Sequence, residues 1–175
     1  MSEVYLINGD TLSNIADAIR DKKGTSDAIL VENMAEEISG IGGGDIKRLL
    51  DKSITSISDN SITTVGINAF YNCTALKTFY FPKLTTIGAS AFYNCSSLVI
   101  TYLPLNCTSI GKTAFYGCTS LTSITFHTKP ISGMVSVFQN CTNLKVINVP
   151  WSEGEVIGAP WGATNATINY NYTGG

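Results

Sequence analysis

The sequence predicts an α+β protein in which a small helical N-terminal segment precedes a short solenoid of about four repeats of 22–23 residues with capping ends. Three observations carry this. Phenylalanines fall at 70, 92, 115 and 138 and cysteines at 73, 95, 118 and 141, the same short step each time. A fixed period in this range belongs to stacked coils, because a unit of this length encloses a core only by covering its apolar side with the next copy. The segment after each cysteine alternates as a strand does, and the first forty residues carry apolar side chains at helical spacing.

In chain order, Asp10 and Thr11 cap a helix whose stripe is Leu12, Ile15, Ala16 and Ile19, and Lys22, Lys23 and Gly24 close it. Ser26 and Asp27 start a second helical segment with Val31, Met34, Ala35 and Ile38 on one face. Two helices this short bury too little surface alone, so residues 1–39 pack either on sister chains or back on their own solenoid. Gly40 to Gly44 read Gly-Ile-Gly-Gly-Gly. With no strand before them and no Gly-Lys-Ser/Thr after them, they form a hinge over 40–45 rather than a phosphate loop. Residues 46–64, with Ile54, Ile57 and Ile62, make an incomplete first coil that caps the stack.

The repeats occupy 65–150. Each holds a loop ending in Phe-x-x-Cys, as in Ala69-Phe70-Tyr71-Asn72-Cys73, and then a strand: 76–82, 98–104, 121–127 and 144–150. Three of the four end at a proline, which lacks the donor a ladder needs. Alternation points Phe79, Thr101, Ile124 and Ile147 inward together with Phe81, Leu103, Phe126 and Val149. Tyr80, Tyr102, Thr125 and Asn148 then face outward in a row. The fourth copy has Ser132-Gly133-Met134-Val135-Ser136-Val137 where Gly and Ala stand in the others, which predicts a local bulge. Residues 151–175 close the far end, with Trp151 and Trp161 around a Gly/Pro loop and Ile168, Tyr170 and Tyr172 alternating as an edge strand. The tryptophans serve as a lid over the last coil or as an aromatic ligand site.

The run Ala-Phe-x-x-Cys-x-x-Leu, ending in an apolar residue and Pro and followed by Ile-Gly, resembles the BspA-like leucine-rich repeats. That resemblance implies a curved solenoid used for recognition or adhesion, not a reaction.

Composition and charge narrow the function. The chain of 175 residues is 44% hydrophobic and 14% charged, with a net charge of −2. Residues 53–150 hold five lysines and, among carboxylates, only Asp59. Scattered lysines do not make the dense basic stripe that nucleic acid requires. No stretch reaches the 18 apolar residues of a membrane span, and the start lacks a signal-peptide pattern, so the expectation is assembly in cytosol without membrane insertion. Four of the five cysteines share one repeat position and read as a ladder of reduced core thiols; without Cys-x-x-Cys pairs they offer no metal site. The Asn-x-Ser/Thr sequons at Asn72, Asn94, Asn106 and Asn140 are by-products of the repeat. His127, the only histidine, sits at a turn, and no carboxylate lies between Val65 and Pro150. No catalytic residue, cofactor or metal is therefore expected.

What remains is binding. Tyr80 and Tyr102, with Lys77, Thr78, Val99 and Ile100, form an outward aromatic and apolar strip. Tyr71, Tyr93 and Tyr116 form a second row on the loop side. Either row contacts a glycan or protein partner, or it covers the solenoid's own side or a sister subunit.

A second resemblance concerns setting. Gly9-Asp10-Thr11-Leu12-Ser13-Asn14-Ile15-Ala16-Asp17-Ala18-Ile19-Arg20, with Gly24-Thr25-Ser26-Asp27 and Met34-Ala35-Glu36-Glu37-Ile38, is similar to the N-terminal attachment segment of structural proteins in phages of Gram-positive bacteria. The stretch from Trp151 through Ala159-Pro160-Trp161-Gly162-Ala163 to Tyr172 resembles the close of such proteins. This implies a virion fibre, in the tail or on the head. It would dock on other virion proteins through Leu12, Ile15, Ile19, Met34 and Ile38, form homo-oligomers with a trimer favoured, and touch a host-surface glycan or protein. A bacterial adhesin or interaction module, and a capsid decoration protein without a receptor, are the alternatives.

Overall fold

The computed structural model describes residues 5–6 and 53–174. These residues form a β-solenoid of about five turns and contain no helix, which corrects the α+β expectation. The two helices expected between residues 10 and 38, and with them Leu12, Ile15, Ile19, Met34 and Ile38, lie outside the described residues.

The strands run β1 (Tyr5–Leu6), β2 (Ser56–Ser58), β3 (Thr64–Val65), β4 (Thr78–Tyr80), β5 (Thr86–Ile87), β6 (Ser109–Ile110), β7 (Ser123–Thr125), β8 (Ser132–Gly133), β9 (Val146–Asn148) and β10 (Thr167–Asn169). All pairings are parallel. One side of the coil is a five-stranded sheet in the order β1-β3-β5-β6-β8, built from the Ile-Gly segments. Tyr5–Leu6, within the stretch expected to be a helical attachment segment, adds to its edge opposite Thr64–Val65. The other side carries the post-cysteine strands, and it is split: β2-β4 form one sheet and β10-β9-β7 another.

Between the sheets lies one apolar core. Phe70, Phe92, Phe115 and Phe138 stack along the axis at ring separations of 5.1, 5.3 and 5.9 Å. All five cysteines are buried and free. Cys95, Cys118 and Cys141 each donate from Sγ to the carbonyl of the phenylalanine one coil back, Phe70, Phe92 and Phe115, at 3.1, 3.1 and 3.0 Å. The thiol is thus a small apolar group that also satisfies a buried acceptor. Burial raises the Cys118 thiol well above its ordinary value and pushes Cys107 and Cys141 up to about 12, so these sulfurs stay protonated.

Each loop turns through two left-handed residues four apart: Asn68 and Asn72, Ser90 and Asn94, Thr113 and Gly117, Ser136 and Asn140. Asn and Gly tolerate this backbone best, which gives the sequon asparagines Asn72, Asn94 and Asn140 a conformational reason. The fourth copy does distort, with Gly133 and Met134 also at positive φ. Residues 151–169 make a further coil rather than a loose lid. Trp161 accepts from Phe138 N–H at 3.0 Å, taking the role that Ala91, Ala114 and Val137 play for the preceding phenylalanines. Trp151 and Trp161 pack edge-on or tilted around Phe126, with centroids at 5.5 and 5.9 Å, and are buried, so they close the core.

Candidate functional site

The split in the strand face is the site. At the post-cysteine strands, neighbouring coils are joined by a repeated backbone rung: Asp59 N–H to Tyr80 at 3.1 Å, Leu103 N–H to Thr125 at 2.9 Å, Phe126 N–H to Asn148 at 2.9 Å and Val149 N–H to Asn169 at 3.0 Å. The equivalent rung from Phe81 N–H to the Tyr102 carbonyl is missing, and no backbone bond joins residues 78–81 to 100–103. The two coils touch at Val99 N–H, which donates to Lys77 at 2.9 Å, and part from there.

The cause is a local inversion of pattern. The slot that Phe79, Ile124 and Ile147 fill with apolar groups holds Thr101 in the second copy, with Ile100 beside it. Thr101 is exposed and Ile100 is only 9% exposed, so the inward place expected of Thr101 belongs to its neighbour. Burying an isoleucine is worth roughly 1.5–3 kcal/mol, whereas an unpaired buried hydroxyl costs about 1–3 kcal/mol. Ile100 takes the buried place at the expense of the strand pairing, and Phe81, itself buried, is left with an N–H that has no backbone partner. Of strand pairing in this copy, only the Tyr102 bridge to Thr125 remains.

The result is a cleft of about 440 Å³. Its floor is Ile100 and the half-buried Phe79, whose ring stacks on Phe92 at 4.7 Å. Its rims carry Tyr80 and Tyr102, 54% and 53% exposed, with Val99 and Leu105. No charged side chain lines it. Of the strip expected from sequence, Tyr80, Tyr102, Thr78 and Val99 are exposed as expected, Lys77 is exposed at the joined end, and Ile100 is corrected from surface to floor. The outward row does not continue beyond it, since Thr125 and Asn148 are half-buried and tied by a 3.1 Å bond from Asn148 Nδ2 to Thr125 Oγ1. Leu105, 66% exposed, was missed; it follows Pro104, where a turn puts an apolar residue into water.

Tyr71, Tyr93 and Tyr116 stack face to face at 4.8 and 4.5 Å, and Asn140 Nδ2 donates to the Tyr116 hydroxyl at 2.7 Å. Tyr93 thus has both faces covered by its neighbours, while Tyr71 and Tyr116 each give one face to the stack. Desolvation and the adjoining Tyr116 hold the Tyr93 hydroxyl above its ordinary value. His127 is exposed, and its nearest ring contact is the edge of Tyr102 at 6.1 Å. Among the described residues no three His, Cys, Asp or Glu side chains converge as a metal would require, and no helix is long and apolar enough to cross a membrane.

Among the described residues, repeated coils around a continuous core, opened by an aromatic cleft, make a repeat protein suited to interaction. The chain belongs to the BspA type leucine rich repeat region family, whose model matches residues 50–159 in six copies. Repeats of this family are typically interaction modules rather than enzymes. A crystal structure of a leucine-rich repeat protein from Bacteroides ovatus is similar, with a TM-score of 0.54 and 26% identity over 67% of this chain and 36% of that one. The T. pallidum leucine-rich repeat protein is similar at a TM-score of 0.41 and 24% identity over 55% of this chain and 59% of that one. The chain thus spans about a third of the length of the Bacteroides protein. No curated protein matches it.

Proposed function

We propose that the chain is an adhesion protein whose solenoid displays the Tyr80/Tyr102 cleft to a surface protein or glycan, in the setting of a phage fibre. The observation that carries the adhesion reading is the cleft itself: two half-exposed tyrosines over an apolar floor, on a face whose other inward slots are closed. An apolar patch of this kind is retained against its solvation cost where it meets a partner. The fibre setting is supported by the resemblance of the stretches 9–38 and 151–172 to phage structural proteins, which assigns residues 1–39 to attachment on other virion proteins and to homo-oligomers, trimers by preference.

The adhesion test replaces Tyr80 and Tyr102 by serine and measures binding of the labelled full chain to Gram-positive cells. Binding should fall by about tenfold or more, as loss of two aromatic anchors implies, with the melting temperature within a few degrees of the parent. Full binding by a folded variant contradicts the reading. The setting is tested by mass spectrometry of purified particles of a phage encoding the chain, and its absence from them contradicts the fibre assignment. A bacterial adhesin is the second reading, favoured by the similarity to the Bacteroides ovatus protein; secretion of the chain by a bacterium in the absence of any phage would select it.

A further inference from the structure

We infer that the cleft between the first two repeats takes a short, uncharged, extended peptide segment, held by its backbone amide and one apolar side chain. This rests on the adhesion reading above and names the chemistry of its ligand.

The backbone argument comes first. Phe81 N–H and the Tyr102 carbonyl lack the rung that the equivalent residues make at every neighbouring interface, at 2.9–3.1 Å. The Tyr102 bridge to Thr125 uses the Thr101 carbonyl and the Leu103 N–H, so Tyr102 turns its own amide groups away from the third copy and toward the first. A donor on one wall and an acceptor on the other match the acceptor and donor of a peptide group. This is strand addition in miniature, at an edge made inside a solenoid rather than at its end.

The side-chain argument chooses among neutral ligands. Ile100, Phe79, Val99 and Leu105 offer an apolar surface that rewards an aliphatic or aromatic side chain. A sugar ring would stack on Tyr80 or Tyr102, but hydroxyls pressed against Ile100, Val99 and Leu105 would lose water where an aliphatic or aromatic side chain gains by burial. With no charged group in the lining, an acidic or basic side chain would lose its hydration uncompensated. A cleft of about 440 Å³ lies within the range that holds a small ligand, here one or two residues.

The test is an amide NMR titration of the ¹⁵N-labelled full chain with acetylated, amidated tripeptides carrying Phe, Leu, Ser or Glu between two alanines, and with methyl β-glucoside. The Phe and Leu peptides should shift the Phe81 and Tyr102 amides and bind about tenfold or more tightly than the Ser and Glu peptides, the ratio expected for burying one apolar side chain. In the double variant Ile100→Thr with Thr101→Ile, which restores the pattern of the third copy, the cleft should close and these shifts should vanish. Slowed hydrogen exchange at Phe81 in that variant reports closure independently of binding. The inference is overturned if no peptide moves those amides, if the glucoside moves them instead, or if the closed variant binds as the parent does. Loss of cell adhesion in the serine variant together with silent peptides would sink this inference and leave the adhesion reading standing.

Discussion

Thr113 shows how much backbone constraint a single residue absorbs in this fold. It sits at φ 56° in a loop position that Asn68, Ser90 and Ser136 share. A β-branched side chain in that region costs about 1–2 kcal/mol more than one that tolerates it. Its Oγ1 offsets part of this by bonding the Lys112 carbonyl at 2.7 Å and Ser90 Oγ at 2.8 Å. Thr113→Asn, which copies Asn68, should therefore raise stability by ~0.5–1 kcal/mol and the melting temperature by roughly 2–3 °C. A fall in melting temperature would show that the hydroxyl bonds outweigh the backbone strain. The buried thiols give a second residue-level expectation, with a sign that follows from their raised values. A thiol protonated to about 12 in the fold but ionising near 9 when unfolded binds more protons in the native state between those values. The contribution of these thiols is then flat below about pH 8 and falls as pH rises from 9 toward 12. Each such thiol contributes a slope of about 1.4 kcal/mol per pH unit. Chemical denaturation at pH 8, 9 and 10 checks this, and a flat profile would mean that the sulfurs ionise in place.

At the scale of the element, the coils are spaced by backbone contact rather than by side chains at the Ile-Gly corner. A Cβ built on Gly111 would lie 2.3 Å from Ala89 N and 2.6 Å from Ala89 Cα, both backbone atoms of the preceding coil. Gly111→Ala should therefore part β6 from β5 and cost roughly 1–3 kcal/mol, read as a lower denaturation midpoint. A variant with parental stability would show that the coils have slack there. The short strands at this corner were not foreseen as a sheet, because two residues are too few for alternation to register, and Tyr5–Leu6 pairs there through tertiary contact alone. The longer strands were foreseen in three copies and misread in the second. Counting positions along the repeat placed Thr101 inward, where counting side chains would have found Ile100 one step away as the better candidate for burial. The helical stripes of residues 10–38 are outside the described residues, which hold short strands and turns and no helix.

For the whole molecule, the repeat period made the architecture legible, since Phe and Cys at one step leave little else that their side chains could do. All eight are buried where that period put them. The reach of the stack was less legible. The far end adds a coil through β10 and Trp161, because a tryptophan carbonyl serves the ladder as well as that of an alanine. The site came through only in part: Tyr80 and Tyr102 were visible as exposed aromatics, but the opening between them arises from a missing interaction, which periodicity smooths over.

Hydrogen exchange at a single amide, Phe81, therefore bears most directly on this picture of a stack of coils opened at one interface. Phe81 N–H should exchange orders of magnitude faster than the amides of Leu103, Phe126 and Val149, which occupy the same rung at closed interfaces. Equal protection at all four would mean a continuous ladder and no cleft.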